Sequence, residues 1–327
     1  MPNSPPTTRL APSPTGGLHL GNARSLLLCW ALARKQGWRV LLRSEDLDQE
    51  RCSLKSEDAI LESLSWMGLD WDEAPTRQSE LFQHYRKAIQ KLEAAGLLFA
   101  CERSRKELRA AAEAAGAPHG AGTTICSTAA MRPQERSRYC FMPGDRNHRL
   151  VIEEGTDTLS DELLGAQSID VAAVFGDPIV WTRQDAPSYQ LAVVVDDLRQ
   201  GVTDVVRGDD LLDSAALQTR IAIMLGGTPP KWWHLPLLLD SEGRRLSKRH
   251  GDITLESLRD TGIPVERLVG LLAKTCNVQT DLAPMSTTDF LDALDLASLR
   301  VWAAQNSAQG GDQLTPADMA WLSEAKT

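Results

Sequence analysis

No stretch of the 327 residues approaches the roughly 18 consecutive apolar positions that a membrane-spanning helix needs. The chain also lacks the charged start and following apolar segment of a secretory leader. Its six cysteines, Cys29, Cys52, Cys101, Cys126, Cys140 and Cys276, lie far apart with no paired spacing. Together these absences imply free thiols in a reducing, cytoplasmic setting. A basic excess is missing too: 35 Lys and Arg face 44 Asp and Glu, for a net charge of -9. That balance excludes non-specific adhesion to nucleic acid over the whole surface and leaves room only for a local basic groove. There is no internal repeat and no low-complexity domain. What is present, 42% hydrophobic and 24% charged residues, suits a chain of two or three domains with a large buried core.

Met1 to Thr8 is polar and proline-rich and leads into a short strand expected at Arg9 to Ala11. Pro12, Pro14, Gly16 and Gly17 then force a loop, after which Asn22 is placed to cap a helix running to about Gln36, with Gly37 as its stop. Trp38 to Ser44 reads as a second strand. Strand, loop, helix and strand in this order make a βαβ unit, which brings a parallel sheet with a right-handed crossover. Apolar spacing predicts helices at Ser56 to Met67 and Ser79 to Ala95, the latter with Leu81, Tyr85, Ala88, Ile89 and Leu92 on one face. From Cys101 to Leu163 the pattern degrades into an Ala-rich helix at Lys106 to Ala115, a Gly/Thr stretch and irregular sequence, which reads as an insertion. Ordered α/β signals return with Ile179 to Thr182, Gln190 to Val195, a strand at Val202 to Arg207, a helix at Asp213 to Leu225 and the apolar run Leu235 to Leu239. From Leu255 onward the period is helical, with Leu268, Leu271 and Leu272 as a seam, and a Gly-Gly-containing tail after Gln305 is expected to be loose.

Two segments carry the densest chemistry. In Arg9-Leu10-Ala11-Pro12-Ser13-Pro14-Thr15-Gly16-Gly17-Leu18-His19-Leu20-Gly21-Asn22 a strand turns through small residues into a helix. Such a turn offers backbone N–H groups and the positive end of a helix dipole to an anion, and glycine lets a phosphate approach closely. Far along the chain, Asp240-Ser241-Glu242-Gly243-Arg244-Arg245-Leu246-Ser247-Lys248-Arg249-His250-Gly251 is a basic loop directly after an apolar strand. Read alone it is a solvated charge run, but its cations could also cover a polyphosphate and meet charge that develops only at a transition state.

His19-Leu20-Gly21-Asn22 and Arg245-Leu246-Ser247-Lys248-Arg249 resemble the HIGH and KMSKS motifs of class I aminoacyl-tRNA synthetases. Ala11-Pro12-Ser13-Pro14-Thr15-Gly16, Leu42-Arg43-Ser44-Glu45-Asp46-Leu47-Asp48, Tyr189 to Asp197, Val206-Arg207-Gly208 and His234-Leu235-Pro236-Leu237 look like the glutamyl branch of that family. The resemblance covers about residues 9 to 100 and 175 to 275. It implies an α/β plan: a discontinuous Rossmann-like catalytic domain with a parallel sheet over 1–100 and 170–245, an inserted connective subdomain over 101–169, a helical stem-contact-like domain over 246–305 and a tail over 306–327. It implies that Arg9, Leu10, Ala11, Pro12, Ser13, Glu45, Tyr189 and Arg207 form a glutamate pocket. It also implies that Pro12, Ser13, Pro14, Thr15, Gly16, Gly17, Leu18, His19, Leu20, Gly21 and Asn22, with Arg245, Leu246, Ser247, Lys248 and Arg249, hold ATP. His19 and Lys248 are the implied catalytic pair. The chemistry agrees: a substrate with two carboxylates and an ammonium needs guanidinium forks and one anion. Its α-carboxylate is already ionised, so alignment and charge neutralisation, with Mg²⁺ as the expected companion of ATP, replace a general base. Asp46 and Asp48 read as caps or ion-pair partners instead of metal ligands.

After Lys248 there is room for the connecting domain but not for the helical anticodon reader of a full glutamyl-tRNA synthetase. The trimmed plan resembles the glutamyl-Q tRNA(Asp) synthetases, which activate glutamate without tRNA and transfer it to queuosine in the anticodon loop of tRNA(Asp). Two alternatives stay open: a minimal synthetase charging the tRNA 3′ end, and a silent paralogue that binds glutamate, ATP or RNA. The insertion's zinc site is degenerate. Cys101 and Cys126 are the matching remnants, Phe99 and Gly122 stand where a Cys and a Tyr belong, and zinc is not expected unless Cys140 or His119 completes a tetrahedral set. Trp232 and Trp233 are expected to pack in the core before they stack on a base. Arg132, Arg136, Arg138 and Arg146 could be a solvated surface or an RNA-facing patch of the insertion.

Overall fold

A computed structural model of the chain describes residues 5–101, 139–144, 146–246 and 253–323. Strands β1 (Thr7–Leu10), β2 (Arg39–Ser44) and β3 (Thr76–Arg77) run parallel in that order, with helix α1 (Leu20–Gln36) crossing from β1 to β2. A second sheet holds β6 (Thr156–Asp161), β7 (Gly165–Asp170), β9 (Asp204–Gly208) and β10 (Lys231–Leu235) in the order β7-β6-β10-β9. Its β6, β10 and β9 are parallel, and β7 closes an antiparallel hairpin at the edge. The halves meet where Thr203 donates its N–H to the Thr7 carbonyl at 2.9 Å and the Thr7 N–H reaches Thr203 Oγ1 at 2.8 Å. Neighbouring strands at this seam lead to opposite sides, and in such α/β sheets ligands bind beyond the carboxyl ends of the strands.

The sheet of β4 (Leu98–Cys101), β5 (Asn147–Leu150) and β8 (Ile179–Trp181) is antiparallel. Helices α2 (Leu54–Trp66) and α3 (Phe82–Ala94) follow the first βαβ unit. Further on come α4 (Val171–Phe175), α5 (Tyr189–Gln200), α6 (Leu212–Met224) and, beyond β11 (Leu238–Leu239), α7 (Leu255–Asp260) to α10 (Leu296–Ala308). The β6–β7 hairpin falls within the range read as insertion and extends the parallel sheet instead. Its solvent face is polar, and only alternate residues such as Leu159 and Asp161 are buried, so it carried no apolar run to mark it.

Three local expectations change. The cap of α1 is His19, not Asn22. Its Nδ1 accepts from the Asn22 N–H and the Asn22 side chain accepts from the His19 N–H, each at 3.3 Å, a reciprocal capping box. The helix expected at Ser79 to Ala95 is interrupted at Leu81, because Asp46 takes the Ser79 N–H at 2.8 Å and its hydroxyl at 2.5 Å, leaving a short turn at Gln78–Glu80 before α3. The described residues after Gln305 are ordered: β12 (Asp312–Gln313) pairs parallel with β11, and α11 (Pro316–Ser323) follows. Leu268, Leu271 and Leu272 of α8 (Val265–Thr275) share one apolar cluster with Leu27, Trp30 and Val40 of the first βαβ unit, so the helical end is built onto the catalytic half. Buried Arg24 clasps the two, donating to Pro236 O at 2.5 Å, Thr275 O at 3.3 Å and Asp312 at 3.2 Å.

Among the described residues no helix is long and apolar enough to cross a membrane. Trp232 and Trp233 are both buried, the latter edge-on to Trp38, as core packing requires.

Candidate active site

The carboxyl ends of β1, β2 and β9 open into a cavity of about 440 Å³. Of the residues expected around glutamate, Arg9, Ala11, Pro12, Ser13, Glu45, Tyr189 and Arg207 line it. Of those expected around ATP, Thr15, Leu18, His19, Gly21, Asn22, Arg245 and Leu246 do so as well. Leu10 does not: on a strand its side chain points opposite to Arg9 and Ala11, into the core. Leu20 is likewise core, and Pro14, Gly16 and Gly17 lie off the cavity lining. Ser247, Lys248 and Arg249 fall outside the described residues, as do Cys126, His119, Arg132, Arg136 and Arg138.

The two motif segments are stitched together. Leu255 N–H donates to Leu18 O at 2.8 Å, and His19 bridges to Thr254 just beyond the basic loop. Gly21 leaves room for the ring: a Cβ on it would stand 3.1 Å from Nδ1 and Cε1 of His19, so a larger residue would have to press the capping imidazole aside. Because Nδ1 accepts the Asn22 N–H, the neutral imidazole carries its proton on Nε2 and is a donor there. Arg245 is paired with Asp210 at 2.7 Å, and both line the cavity.

On the opposite side the charges form a buried lattice that sequence reading missed. Asp197 accepts from Arg43 at 2.7 Å and from Arg9 Nε at 3.4 Å, and Arg43 also reaches Glu45 at 3.2 Å and Gln200 at 2.8 Å. Burial pushes the Glu45 carboxyl above its ordinary pKa, against the pull of Arg43 and Arg9. Burial likewise pushes Asp196, behind Arg43, towards its neutral form. Among the described residues Arg207 makes its contacts to His234 Nε2 at 3.2 Å, Gln218 Oε1 at 2.8 Å, Leu211 O at 3.0 Å and the Trp232 ring at 4.7 Å, none of them a carboxylate. Burial lowers its pKa.

Three guanidinium groups, Arg9, Arg43 and Arg207, thus face two carboxylates, Glu45 and Asp197. The terminal N–H groups of Arg9 and two N–H groups of Arg207 have no protein partner among the described residues. Those N–H groups suit the carboxylates of a ligand, and Glu45 would give an ammonium its counter-ion. Arg43 and Asp197 both lie in segments that resemble the family, and Arg43 also stands out as a charge inside an apolar strand, but 154 positions apart neither points to the other as partner.

Among the described residues no group of three His, Cys, Asp or Glu could hold a metal ion. Asp46 is committed to Ser79 and Asp48 to Arg51. Cys101 is buried in β4, packed with Phe99 and Val151.

A family model described as tRNA synthetases class I (E and Q), catalytic domain, matches residues 7–297. The glutamyl-Q tRNA(Asp) synthetase of Nitratidesulfovibrio vulgaris is 38% identical over 308 residues, 89% of this chain and 92% of that protein. The protein of the same name from Symbiobacterium thermophilum is 39% identical, over 89% of this chain and 93% of its own length. A glutamate–tRNA ligase of Paraburkholderia phytofirmans is 37% identical over 91% of this chain, which spans 63% of it. A crystal structure of a glutamate tRNA ligase from Elizabethkingia meningosepticum superposes with a TM-score of 0.76 at 24% identity, over 98% of this chain and 69% of that one, and shares the fold. With its family model spanning the cavity and both sheets, the chain belongs to the class I tRNA synthetases of the glutamate and glutamine (E and Q) family.

Proposed function

We propose that this chain activates glutamate with ATP, without tRNA, to glutamyl-adenylate and transfers the glutamyl group to queuosine in the anticodon loop of tRNA(Asp). The observation that carries the first half is the single cavity in which Arg9, Glu45, Tyr189 and Arg207 converge beside the His19-capped end of α1 and Arg245. The second half rests on the two relatives of that name, which the chain matches along more than nine-tenths of their length.

In this reading Arg9 and Arg207 take the substrate carboxylates, Tyr189 adds a neutral hydroxyl, and Glu45 takes the ammonium. The α-carboxylate attacks the α-phosphorus of ATP, a P–O bond forms, and the bond to pyrophosphate breaks with its electron pair leaving on pyrophosphate. His19 Nε2–H, the N-terminal amides of α1 and the cations of the 245–249 segment neutralise the phosphate oxygens as charge shifts. ATP enters as its magnesium complex, a substrate, and no step is assigned to a resident metal. Lys248 is the cation this mechanism needs most at the transition state.

Glutamate-dependent exchange of labelled pyrophosphate into ATP, with no RNA present, tests activation; absence of exchange overturns it. Labelling tRNA with glutamate and cutting with a nuclease tests the acceptor. Label on the anticodon fragment supports the reading, and label on the terminal adenosine replaces it with the 3′-charging alternative.

A further inference from the structure

Arg9 and Arg43 are pinned by carboxylates, whereas Arg207 is held by neutral groups, and how that is achieved points past the cavity wall. Asp161, at the end of β6, and His234, on β10, both have fully buried side chains. Asp161 accepts from four N–H groups: Leu163 and Leu164, each at 2.9 Å, the backbone of His234 at 3.2 Å, and His234 Nδ1 at 2.6 Å. With both carboxylate oxygens surrounded by donors, Nδ1 of His234 carries the ring proton, which leaves Nε2 bare to accept the Nε–H of Arg207. An imidazolium would set N–H against N–H. Burial draws the His234 pKa down, with Asp161 on β6, Arg207 on β9 and Asp209 in the turn after it as the charged groups facing the ring.

We infer that Asp161 and His234 are positioning residues for glutamate: the carboxylate fixes the imidazole tautomer, and the imidazole fixes the Arg207 fork without cancelling its charge. Had Asp161 touched Arg207 directly, it would have occupied the guanidinium N–H groups and offset their charge, as Asp197 does to Arg43 at 2.7 Å. With one ring interposed, orientation passes through and the positive charge stays available to a substrate carboxylate. Gln218 completes the hold, accepting from Arg207 while donating to Gln190 at 2.7 Å, which in turn donates to Ser214 at 3.0 Å. The inference rests on the glutamate-activating reading for its substrate, but not for its geometry.

Two substitutions separate positioning from bulk. His234→Asn keeps a donor where Nδ1 stands and removes the acceptor for Arg207; His234→Gln places an amide oxygen near Nε2 and gives up the donor to Asp161. By pyrophosphate exchange, His234→Asn raises the glutamate KM at least about tenfold with the ATP KM within about twofold, and His234→Gln stays within about threefold for both, the loss of a hydrogen bond to a charged group setting the scale. Equal effects of the two variants, or ATP and glutamate KM rising together, would mean that His234 only fills space, and would overturn the inference. Nitrogen-15 histidine NMR of the unmutated full chain, with the His234 signals assigned by their loss in His234→Gln, provides a readout independent of activity and of variant folding. A protonated Nδ1 and bare Nε2 are expected, and a proton on Nε2 refutes the arrangement. If the unmutated chain shows no glutamate-dependent exchange, the functional reading fails while the NMR result still decides the geometry.

Discussion

Replacing Glu45 with glutamine separates the demands of binding from those of folding. In the free protein Glu45 touches Arg43 at 3.2 Å, but Arg43 keeps Asp197 at 2.7 Å and Gln200 at 2.8 Å whatever stands at position 45. The variant therefore strands no buried cation. Burial also holds the Glu45 carboxyl above its ordinary pKa. A carboxyl that binds its proton more tightly folded than unfolded adds stability at low pH, and that contribution is lost as pH rises through the folded value. At neutral pH the ionised form thus opposes folding, so Glu45→Gln should melt at the same temperature as the parent or higher. Binding should respond the other way. Losing a charge-assisted partner for the substrate ammonium costs about 1.5–3 kcal/mol, or about 10- to 150-fold in glutamate KM. Pyrophosphate exchange across a glutamate series, with a thermal melt of the same samples, reads both. The parent's glutamate KM should also climb as acid protonates Glu45, at higher pH than an ordinary carboxylate would require, and the variant should lack that limb. An unchanged KM, or a lowered melting temperature, would refute the reasoning.

His19→Asn should separate capping from chemistry: asparagine is a good N-cap, so stability should stay within about 1 kcal/mol while kcat falls at least about tenfold. A melt and a turnover measurement on one preparation check it. Arg24→Met leaves the Pro236 and Thr275 carbonyls without that buried donor and half-buried Asp312 without this cation, so the melting temperature should drop by several degrees, following from about 1–3 kcal/mol for each buried acceptor stranded. A shift below a degree would show that the clasp contributes nothing. Lys248→Ala should slow glutamate activation at least about tenfold, about 1.4 kcal/mol of barrier, and unchanged exchange would remove Lys248 from the mechanism.

The pocket side chains Arg9, Glu45, Tyr189 and Arg207 were legible because each lies in a short segment of recognisable pattern, and the βαβ opening because its punctuation is local. What supports them was not legible. Arg43 and Asp197 are 154 positions apart and Asp161 and His234 are 73 apart, and nothing in either neighbourhood says which distant charge will face it. The cap of α1 was misplaced by three residues because the capping preference of Asn22 is real but is exercised from N3, its side chain accepting the His19 N–H while the imidazole takes the cap itself. The β6–β7 hairpin alternates polar with apolar residues too weakly to announce a sheet edge. The segment after Gln305 looked loose because a two-residue strand carries no periodicity, and its order comes from β11 and from Asp312 meeting Arg24.

The pairing of β11 with β12 has a practical corollary for dissecting the chain. Asp312 N–H donates to Leu237 O at 2.7 Å, Leu314 N–H to Leu239 O at 3.0 Å, and Gln313 reaches Ser241 O at 2.7 Å, where the polypeptide departs into its basic segment. A deletion that removes Asp312 to Leu314 would bare that strand edge, take from Arg24 one of its three partners and remove the hydrogen bond to Ser241 O, though it lies far in sequence from every pocket residue. Expression boundaries drawn at residue 297, the last of the family match, would therefore strip β11 of its partner strand just ahead of the basic segment.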